Sequence, residues 1–357
     1  MARIFHILDT LGIGGAENMV ASLARWQMSE GYAVHVHGVN GGGPIADRLH
    51  AMRVPVTWNG NAHYAPALWR LYRQIRAFAP DVVHSHNIVP TLLGAIAGRL
   101  AGVTCLTATR HGPRSLSERA ERRFWLAARW YRHVVAVSDS ARADIAGGRF
   151  ADPSKLVTIP NAADLPDATP PIDAPPRTGF TLVSVGRLVR EKSYETLLEA
   201  LFLARAEDPD LHLWLVGDGV ERATLEQRVR TLHLEEHVLF LGARSNVGYW
   251  LRHADLFVMS SVSEGMPVSL LEAFAMERAV VATDVGGIPD AVEGAHAGLI
   301  VPSRDPHALA EAILRLKRDP DERHRLERNA RHAYEEQFSI ARMGRAYQRL
   351  YGLAQTG

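Results

Sequence analysis

Two glutamates, Glu264 and Glu272, bracket a short turn, Gly265-Met266-Pro267, and the apolar stretch that follows it. The preceding segment Ala254–Ser260 reads as a buried strand, and Val268–Met276 has the length and apolar content of a helix. The turn therefore lies at a strand's carboxyl end, where open α/β sheets bind ligands. Pro267 suits a first helical position, and the N–H groups of Val268 and Ser269 then face an anion with the positive end of the helix dipole behind them. Glu272 falls roughly 7–8 Å further along the axis. Two carboxylates that accept bonds from hydroxyls thus flank an anion site. A nucleotide sugar has that layout, with its pyranose at one end of a phosphate and its ribose at the other. Taken alone, such a pair is more often solvated surface charge, and the elements around it carry the decision.

Short β-branched runs alternate with amphipathic stretches along the whole chain: Ile4–Leu8, Ala16–Met28, Val34–Val39, Leu68–Ala79, Val82–His84, Val89–Ala101, Cys105–Ala108, Glu118–Tyr131 and Val134–Val137. A second series runs through Phe180–Val185, Thr196–Ala206, His212–Val216, Leu225–Leu232, Val238–Leu241, Leu256–Met259, Val268–Met276, Val280–Thr283 and Leu299–Val301. This alternation predicts two parallel sheets covered by helices on both faces, an α/β fold of two doubly wound Rossmann-like domains. At 357 residues the chain has the length for two such cores. Residues 1–165 form the expected first domain and 180–339 the second. Between them the proline-rich segment 166–179, with Pro166, Pro170, Pro171, Pro175 and Pro176, reads as a semi-rigid linker. The tail from Asp305 is helical, with caps expected at Asp305 and Ser339, and its last helix, Ile340–Leu353, is expected to cross back onto the first domain.

Composition narrows the function classes. A formal net charge of +1 with 22% charged and 47% hydrophobic residues excludes disorder and gives no footprint for nucleic acid. The single cysteine, Cys105, excludes an internal disulfide and favours a cytoplasmic setting. The start of the chain is broken by Asp9 too soon for a signal peptide, and no run of 18 apolar residues exists to span a bilayer.

Other strand ends carry residues suited to phosphate. After Ile4–Leu8 comes Gly12-Ile13-Gly14-Gly15-Ala16-Glu17, where glycine lets backbone approach an anion; the dinucleotide spacing Gly-x-Gly-x-x-Gly is absent, and a plain tight turn fits equally well. After Phe180–Val185 comes Gly186-Arg187-Leu188-Val189-Arg190-Glu191-Lys192. Here Arg187 can clamp a phosphate with two N–H groups and Lys192 can set a compact charge on another oxygen. Val216-Gly217-Asp218-Gly219 and Leu241-Gly242-Ala243-Arg244 close two more strands; the first is as readily a simple turn, and the second places Arg244 where a base could lie. His111 follows Cys105–Ala108, and Asn161 closes the first domain near the linker. The segment containing Arg110, Arg114, Arg119, Arg122, Arg123, Arg129 and Arg132 is a basic patch that suits anionic lipid or a lipid-linked phosphate, and is equally a solvated helix face.

In this order the motifs resemble glycosyltransferase family 4, the retaining GT-B enzymes, over nearly the whole chain: Gly14-Gly15-Ala16-Glu17, His111-Gly112, Ile159-Pro160-Asn161, Gly186-Arg187-Leu188 with Glu191-Lys192, Val216-Gly217-Asp218-Gly219, and Glu264 with Glu272. Each is modest and their collinearity is specific. The resemblance implies transfer of a sugar, with retention, from a UDP- or GDP-sugar to a glycan or lipid-linked acceptor hydroxyl in polysaccharide or other glycoconjugate synthesis. It implies catalytic roles for His111, Glu264, Arg187 and Lys192. It implies donor contacts from Gly14, Gly15, Gly186, Gly217, Arg244, Gly265, Met266, Pro267, Val268 and Glu272. It implies no metal and no cofactor, since Arg187, Lys192 and the helix end supply the positive field. Closure about the linker and peripheral contact with the inner face of an anionic membrane are further expectations. The chain departs from the family at Glu277 and Ala279, where glycine and proline are usual, and at Ser260, where proline is usual. Two rivals stay open: a sugar-nucleotide epimerase on the same scaffold, and a catalytically silent binding subunit.

Overall fold

The computed structural model describes residues 1–12, 14–60, 64–112, 117–149, 151–165, 167–172 and 179–353. Arg114 of the basic patch, Ile13 of the first glycine turn, and Pro166, Pro175 and Pro176 of the expected linker lie outside the described residues. The chain divides into two compact units, one of Met1–Ala162 with Ser339–Gly357 and one of Ala163–Phe338.

Unit 1 runs β1 (Arg3–Leu8), α1 (Gly15–Ser29), β2 (Ala33–Gly38), α2 (Pro44–Ala51), β3 (Val56–Trp58), α3 (Tyr64–Phe78), β4 (Val82–His86), α4 (Ile88–Leu100), β5 (Cys105–Arg110), α5 (Glu118–Ala128), β6 (His133–Ala136), α6 (Asp139–Ala146) and β7 (Leu156–Thr158). Unit 2 continues with β8 (Phe180–Val185), α7 (Tyr194–Glu207), β9 (Leu211–Val216), α8 (Arg222–Thr231), β10 (Val238–Gly242), α9 (Val247–His253), β11 (Leu256–Met259), α10 (Val268–Ala275), β12 (Val280–Thr283), α11 (Ile288–Val292), β13 (Gly298–Val301), α12 (Pro306–Arg318) and α13 (Pro320–Ala333). The last helix, α14 (Ile340–Tyr351), belongs to unit 1.

Each sheet is parallel. Their orders are β3-β2-β1-β4-β5-β6-β7 and β10-β9-β8-β11-β12-β13. Both therefore reverse winding direction once, between β1 and β4 and between β8 and β11, and leave a crevice at the carboxyl ends of those strands. The elements form where apolar runs meet stop signals. β8 is buried at every position. Leu182, Leu213, Leu215, Leu256 and Val258 from the second sheet pack with Leu197, Leu198 and Leu201 of α7 and Leu309 and Ile313 of α12. Asp305 caps α12 by accepting from the Ala308 N–H at 3.0 Å. Ser339 stands at the cap position of α14, but its side chain makes no cap bond.

The final helix is seated on α1 through Gly344, where an added Cβ would come within 2.1 Å of the Trp26 ring. Tyr347 and Tyr351 reach inward from it, the first to Thr109 Oγ1 at 3.0 Å and the second to His84 Nδ1 at 2.7 Å. Several boundaries differ from the sequence-based expectation. Pro267 caps α10 with extended backbone (φ −72°, ψ 124°) instead of opening it, and the helix ends at Ala275. Helix α5 stops at Ala128, leaving Trp130 and Tyr131 in a turn. The start of the expected linker is tied to unit 2, where Asn246 Nδ2 donates to the Thr169 carbonyl at 2.8 Å.

Helix α10 ends in a Schellman turn: the N–H groups of Glu277 and Arg278 bond the carbonyls of Phe274 and Ala273 at 3.1 and 3.0 Å. This forces Glu277 to φ 58°, a left-handed conformation that glycine adopts without the Cβ penalty. Glu277→Gly is therefore expected to stabilise unit 2 by about 1 kcal/mol, read as a higher denaturant midpoint for the full chain. An unchanged or lower midpoint would show that the left-handed residue carries no strain.

Candidate active site

In unit 2 the loops that leave β8 and β11 meet at the reversal of strand order, and their side chains close the gap that no backbone ladder can. Lys192, at the end of the 3-10 turn Arg190–Lys192, donates to Glu264 Oε1 at 2.5 Å. Ser261 Oγ donates to the same oxygen at 2.7 Å. The two charged side chains are only 20% and 11% exposed, so solvent screens the pair less than an ordinary surface pair. Ser260 Oγ lies 3.0 Å from the carbonyls of both Lys192 and Ser193, and the Val262 N–H donates to the Glu191 carbonyl at 2.8 Å. From the other side Thr283 Oγ1 donates to the Ser261 carbonyl at 2.6 Å, and the Gly287 N–H to the Gly265 carbonyl at 2.7 Å.

Two glycines allow this closeness. At Gly286 (φ 56°) a Cβ would lie 1.9 Å from the Glu264 carbonyl oxygen, and at Gly217 (φ 140°) it would lie 1.9 Å from the Gly186 carbonyl oxygen. Behind the pair Tyr194 is buried, and burial holds its phenol well above its ordinary range, with the Glu264 charge adding to the effect. Helix α10 begins at Val268 with no side chain capping it, so its first N–H groups are left to another acceptor. Gly265, Met266 and Pro267 are buried, and Glu272 is half-buried on the second turn of α10. Arg187 is exposed at the end of β8, and its side chain makes no hydrogen bond or ion pair among the described residues.

Thus the structure brings Lys192, Glu264, Gly265, Met266, Pro267 and Val268 together, with Gly186 and Gly217 at neighbouring strand ends. Arg244 is engaged elsewhere: its Nε donates to the Leu241 carbonyl at 2.8 Å and its guanidinium lies over the Trp250 ring. It lines a cavity of about 450 Å³ together with Asp167, Thr169, Ile172 and Asn246. In the sequence Ser260 stands out only as a departure from the family pattern, and Ser261, Thr283 and Gly286 do not stand out at all. The Gly286-Gly287 step after an apolar strand was the signal that could have pointed to the last of these.

Unit 1 carries its own cluster at the β1/β4 reversal. Gly14 precedes α1 in extended conformation, and a Cβ there would meet the Glu17 carboxylate at 2.2 Å. Gly15 is the first residue of that helix. His111, just past β5, has its backbone N–H on Asn87 Oδ1 at 3.0 Å and its Nε2 3.0 Å from His86 Nδ1. His86 Nε2 lies 3.1 Å from His6 Nδ1, and His6 Nε2 lies 2.8 Å from Gln27 Oε1. Burial lowers the pKa of His6 and His111 to about 4, and Asn161 opposes part of that shift at His111. His84 and His86 are pushed well below the ordinary range, by burial first and then by the neighbouring imidazoles. His6, His84 and His86 are the group among the described residues with the spacing to hold a metal ion. Their nitrogens already pair with one another, Gln27, His111, Thr109 and Tyr351, so the cluster is a completed hydrogen-bond array.

Of the basic patch, Arg110 is withdrawn into the interior, where it pairs with buried Glu121 at 2.9 Å and lies over the Phe124 ring. Arg119, Arg122, Arg123, Arg129 and Arg132 are exposed, beside Leu126 and Trp130, which are 62% and 51% exposed. No helix among the described residues is long and apolar enough to cross a membrane.

Two family models match the chain in succession: Glycosyltransferase Family 4 over residues 13–166 and Glycosyl transferases group 1 over residues 168–333. Among curated relatives, UDP-Gal:alpha-D-GlcNAc-diphosphoundecaprenol alpha-1,3-galactosyltransferase of Escherichia coli is 28% identical over 71% of this chain and 70% of its own length. The lipopolysaccharide core biosynthesis glycosyltransferase LpsE of Rhizobium meliloti is 33% identical over 53% of each chain. In fold the chain is similar to Anabaena HepE, solved in complex with UDP-glucose, with a TM-score of 0.86, 22% identity, and coverage of 99% of this chain and 100% of that one. The architecture is GT-B.

Gly286→Ala is expected to destabilise unit 2 by at least about 1–2 kcal/mol, because the new Cβ strains a left-handed backbone and presses on Glu264. Denaturant unfolding measures it, and a wild-type midpoint would contradict the buttress. Stability is also expected to fall with acid. A folded-state pKa below the unfolded value near 6.5 means that the unfolded chain takes protons first, so these histidines contribute fully above that pH. Their contribution is lost as the pH falls from about 6.5 towards 4, at up to about 1.4 kcal/mol per pH unit for each group. Melting temperatures at pH 7.5 and 5 measure the loss, and equal values would contradict the burial of neutral imidazoles.

Proposed function

The chain belongs to glycosyltransferase family 4, and from that premise we propose that it transfers a hexose-type sugar, with retention, from a UDP- or GDP-sugar to an acceptor hydroxyl. The observation that carries this reading is the Lys192–Glu264 pair, 2.5 Å apart across the β8/β11 reversal beside the uncapped start of α10. A cation and a hydroxyl-accepting carboxylate held side by side bracket the bond between a sugar and its phosphate. In this reading Glu264 and the Gly265–Val268 backbone hold the transferred sugar, Lys192 and Arg187 hold the diphosphate, and Glu272 takes the ribose hydroxyls. Gly186 and Gly217 give the donor close approach to backbone. Arg244, turned onto Trp250, would border the base only from a side-chain position other than the one observed.

The chemistry follows from where charge develops. Breaking the anomeric bond places negative charge on the departing diphosphate and positive charge on the ring. Fixed cations and oriented N–H groups at the phosphate therefore favour the transition state over the bound donor. No metal is needed in this scheme, because Lys192, Arg187 and the helix end supply the field. Glu264 has its carboxylate bonded to Lys192 and Ser261 and serves as an anchor for sugar hydroxyls, not as a nucleophile beneath the ring.

On unit 1, His111 receives the acceptor hydroxyl, and Gly14 and Gly15 present backbone to the donor phosphates. The name of the Escherichia coli relative, with its UDP-sugar and diphospholipid acceptor, favours a glycan or lipid-linked acceptor here and a place in glycoconjugate synthesis. The exposed Leu126 and Trp130 among five arginines suit the cytoplasmic face of an anionic membrane, where such an acceptor would lie. Sedimentation with anionic and zwitterionic vesicles tests that contact.

Lys192→Ala is expected to lower turnover at least about tenfold, equivalent to 1.4 kcal/mol. Glu272→Ala is expected to raise the donor concentration needed for half-saturation. A thermal-shift panel of UDP- and GDP-sugars identifies the donor, since a ligand at a hundred times its dissociation constant adds about 2.7 kcal/mol. Near-normal kinetics in both variants would overturn the site assignment.

A further inference from the structure

Gln27 is a buried amide on α1, in a helix face otherwise lined by Met19, Val20, Leu23 and Ala24. Two rows of hydrogen bonds start from it. One runs through His6 and His86 to His111, with contacts of 2.8, 3.1 and 3.0 Å. The other begins at the Tyr351 hydroxyl, which Gln27 also bonds, and runs through His84 and Thr109 to Tyr347, with contacts of 2.7, 2.7 and 3.0 Å.

A neutral imidazole has one N–H and one lone pair, so each ring passes its polarity to the next. The amide oxygen only accepts, which places the His6 proton on Nε2 and leaves Nδ1 as an acceptor. His86 must then donate from Nε2 and accept at Nδ1, and His111 must donate from Nε2. The polarity ends at His111 Nδ1, a buried nitrogen beside the Asn161 side chain, which the row leaves with a lone pair. In the second row the amide NH₂ donates to the Tyr351 oxygen, Tyr351 donates to His84 Nδ1, and His84 donates from Nε2 to Thr109. Burial in the apolar interior keeps the rings of the first row neutral.

We propose that Gln27 is a positioning residue that, through His6 and His86, fixes the tautomer of His111 with Nδ1 as a hydrogen-bond acceptor. The benefit to catalysis rests on the reading that His111 meets the acceptor hydroxyl; the tautomer itself does not. A hydroxyl that donates to Nδ1 turns its oxygen lone pairs towards the sugar, and the rigid row holds that orientation without a charged group.

The test is ¹⁵N-histidine NMR on the full chain, with the His111 signals assigned by their loss in His111→Gln. At pH 7.5 wild-type His111 is expected as a single Nε2–H tautomer. Gln27→Met removes both amide groups at similar volume and is expected to leave His111 as a mixture. It is also expected to lower kcat several-fold, with KM for the nucleotide sugar unchanged. Gln27→Glu keeps an acceptor at His6 but turns the Tyr351 hydroxyl round, so His84 is expected to move its proton to Nδ1 while His111 stays as it is. A wild-type His111 protonated on Nδ1 or mixed, or one unmoved in a folded Gln27→Met chain, overturns the proposal. Should Gln27→Met fail to fold, an unmoved His84 in Gln27→Glu does the same. If the tautomers respond as expected and no sugar is transferred, the functional reading fails and the relay stands.

Discussion

The reversal of strand order between β8 and β11 governs the chemistry of unit 2. Strands on the two sides of this point send their chains in opposite directions, so the loops at their carboxyl ends face each other with no ladder to join them. The groups that join them here are polar side chains and loop backbone: Lys192 to Glu264, Ser260 to the carbonyls of 192 and 193, and Val262 to Glu191. A charged pair held this way is preorganised, because the bonds that orient it are made before any ligand arrives. Such preorganisation is what gives electrostatic stabilisation its effect in a partly dehydrated site.

Unit 1 has the same reversal, between β1 and β4, and resolves it with imidazoles. His6 pairs with His84 in register, and His86 follows two residues later on the same face of β4, so three rings meet on one side of the sheet. Parallel strands buried on both faces ordinarily read as unbroken apolar runs. Polar rings at alternate positions are tolerated only because every bond along them closes, through Gln27 on one helix and Tyr347 and Tyr351 on another. The crossing of α14 onto unit 1 is therefore part of the interior as well as a cover for α1.

The alternation of strand and helix was legible because long buried runs such as Phe180–Val185 and Leu256–Met259 leave little freedom in where the backbone pairs. The three-residue edge strands β3 and β7, and the helix at Pro44–Ala51, were not, since short edge elements carry too little apolar pattern. At the proposed donor side the charged residues could be read from their strand-end positions. The partnership of Lys192 with Glu264 could not, because 72 residues separate them and only the fold brings them together. The histidine row was hidden for the same reason. Val82-Val83-His84-Ser85-His86 looks like a strand that ends in three stray polar residues until its register with β1 is known.

At the departures from the family pattern other residues hold the loop and the helix end. The resemblance places proline where Ser260 stands, a residue that would stiffen the loop through its ring and offer no donor. Ser260 instead points a hydroxyl at two carbonyls of the facing loop, so rigidity comes from a bond across the reversal in place of a constraint within one strand. At Glu277 the chain accepts a left-handed residue without glycine, and the Schellman bonds hold it there. Both substitutions leave the ends of α10 intact. In the proposed site the start of α10 receives the donor's phosphate, and these bonds hold the direction of that helix relative to Glu264.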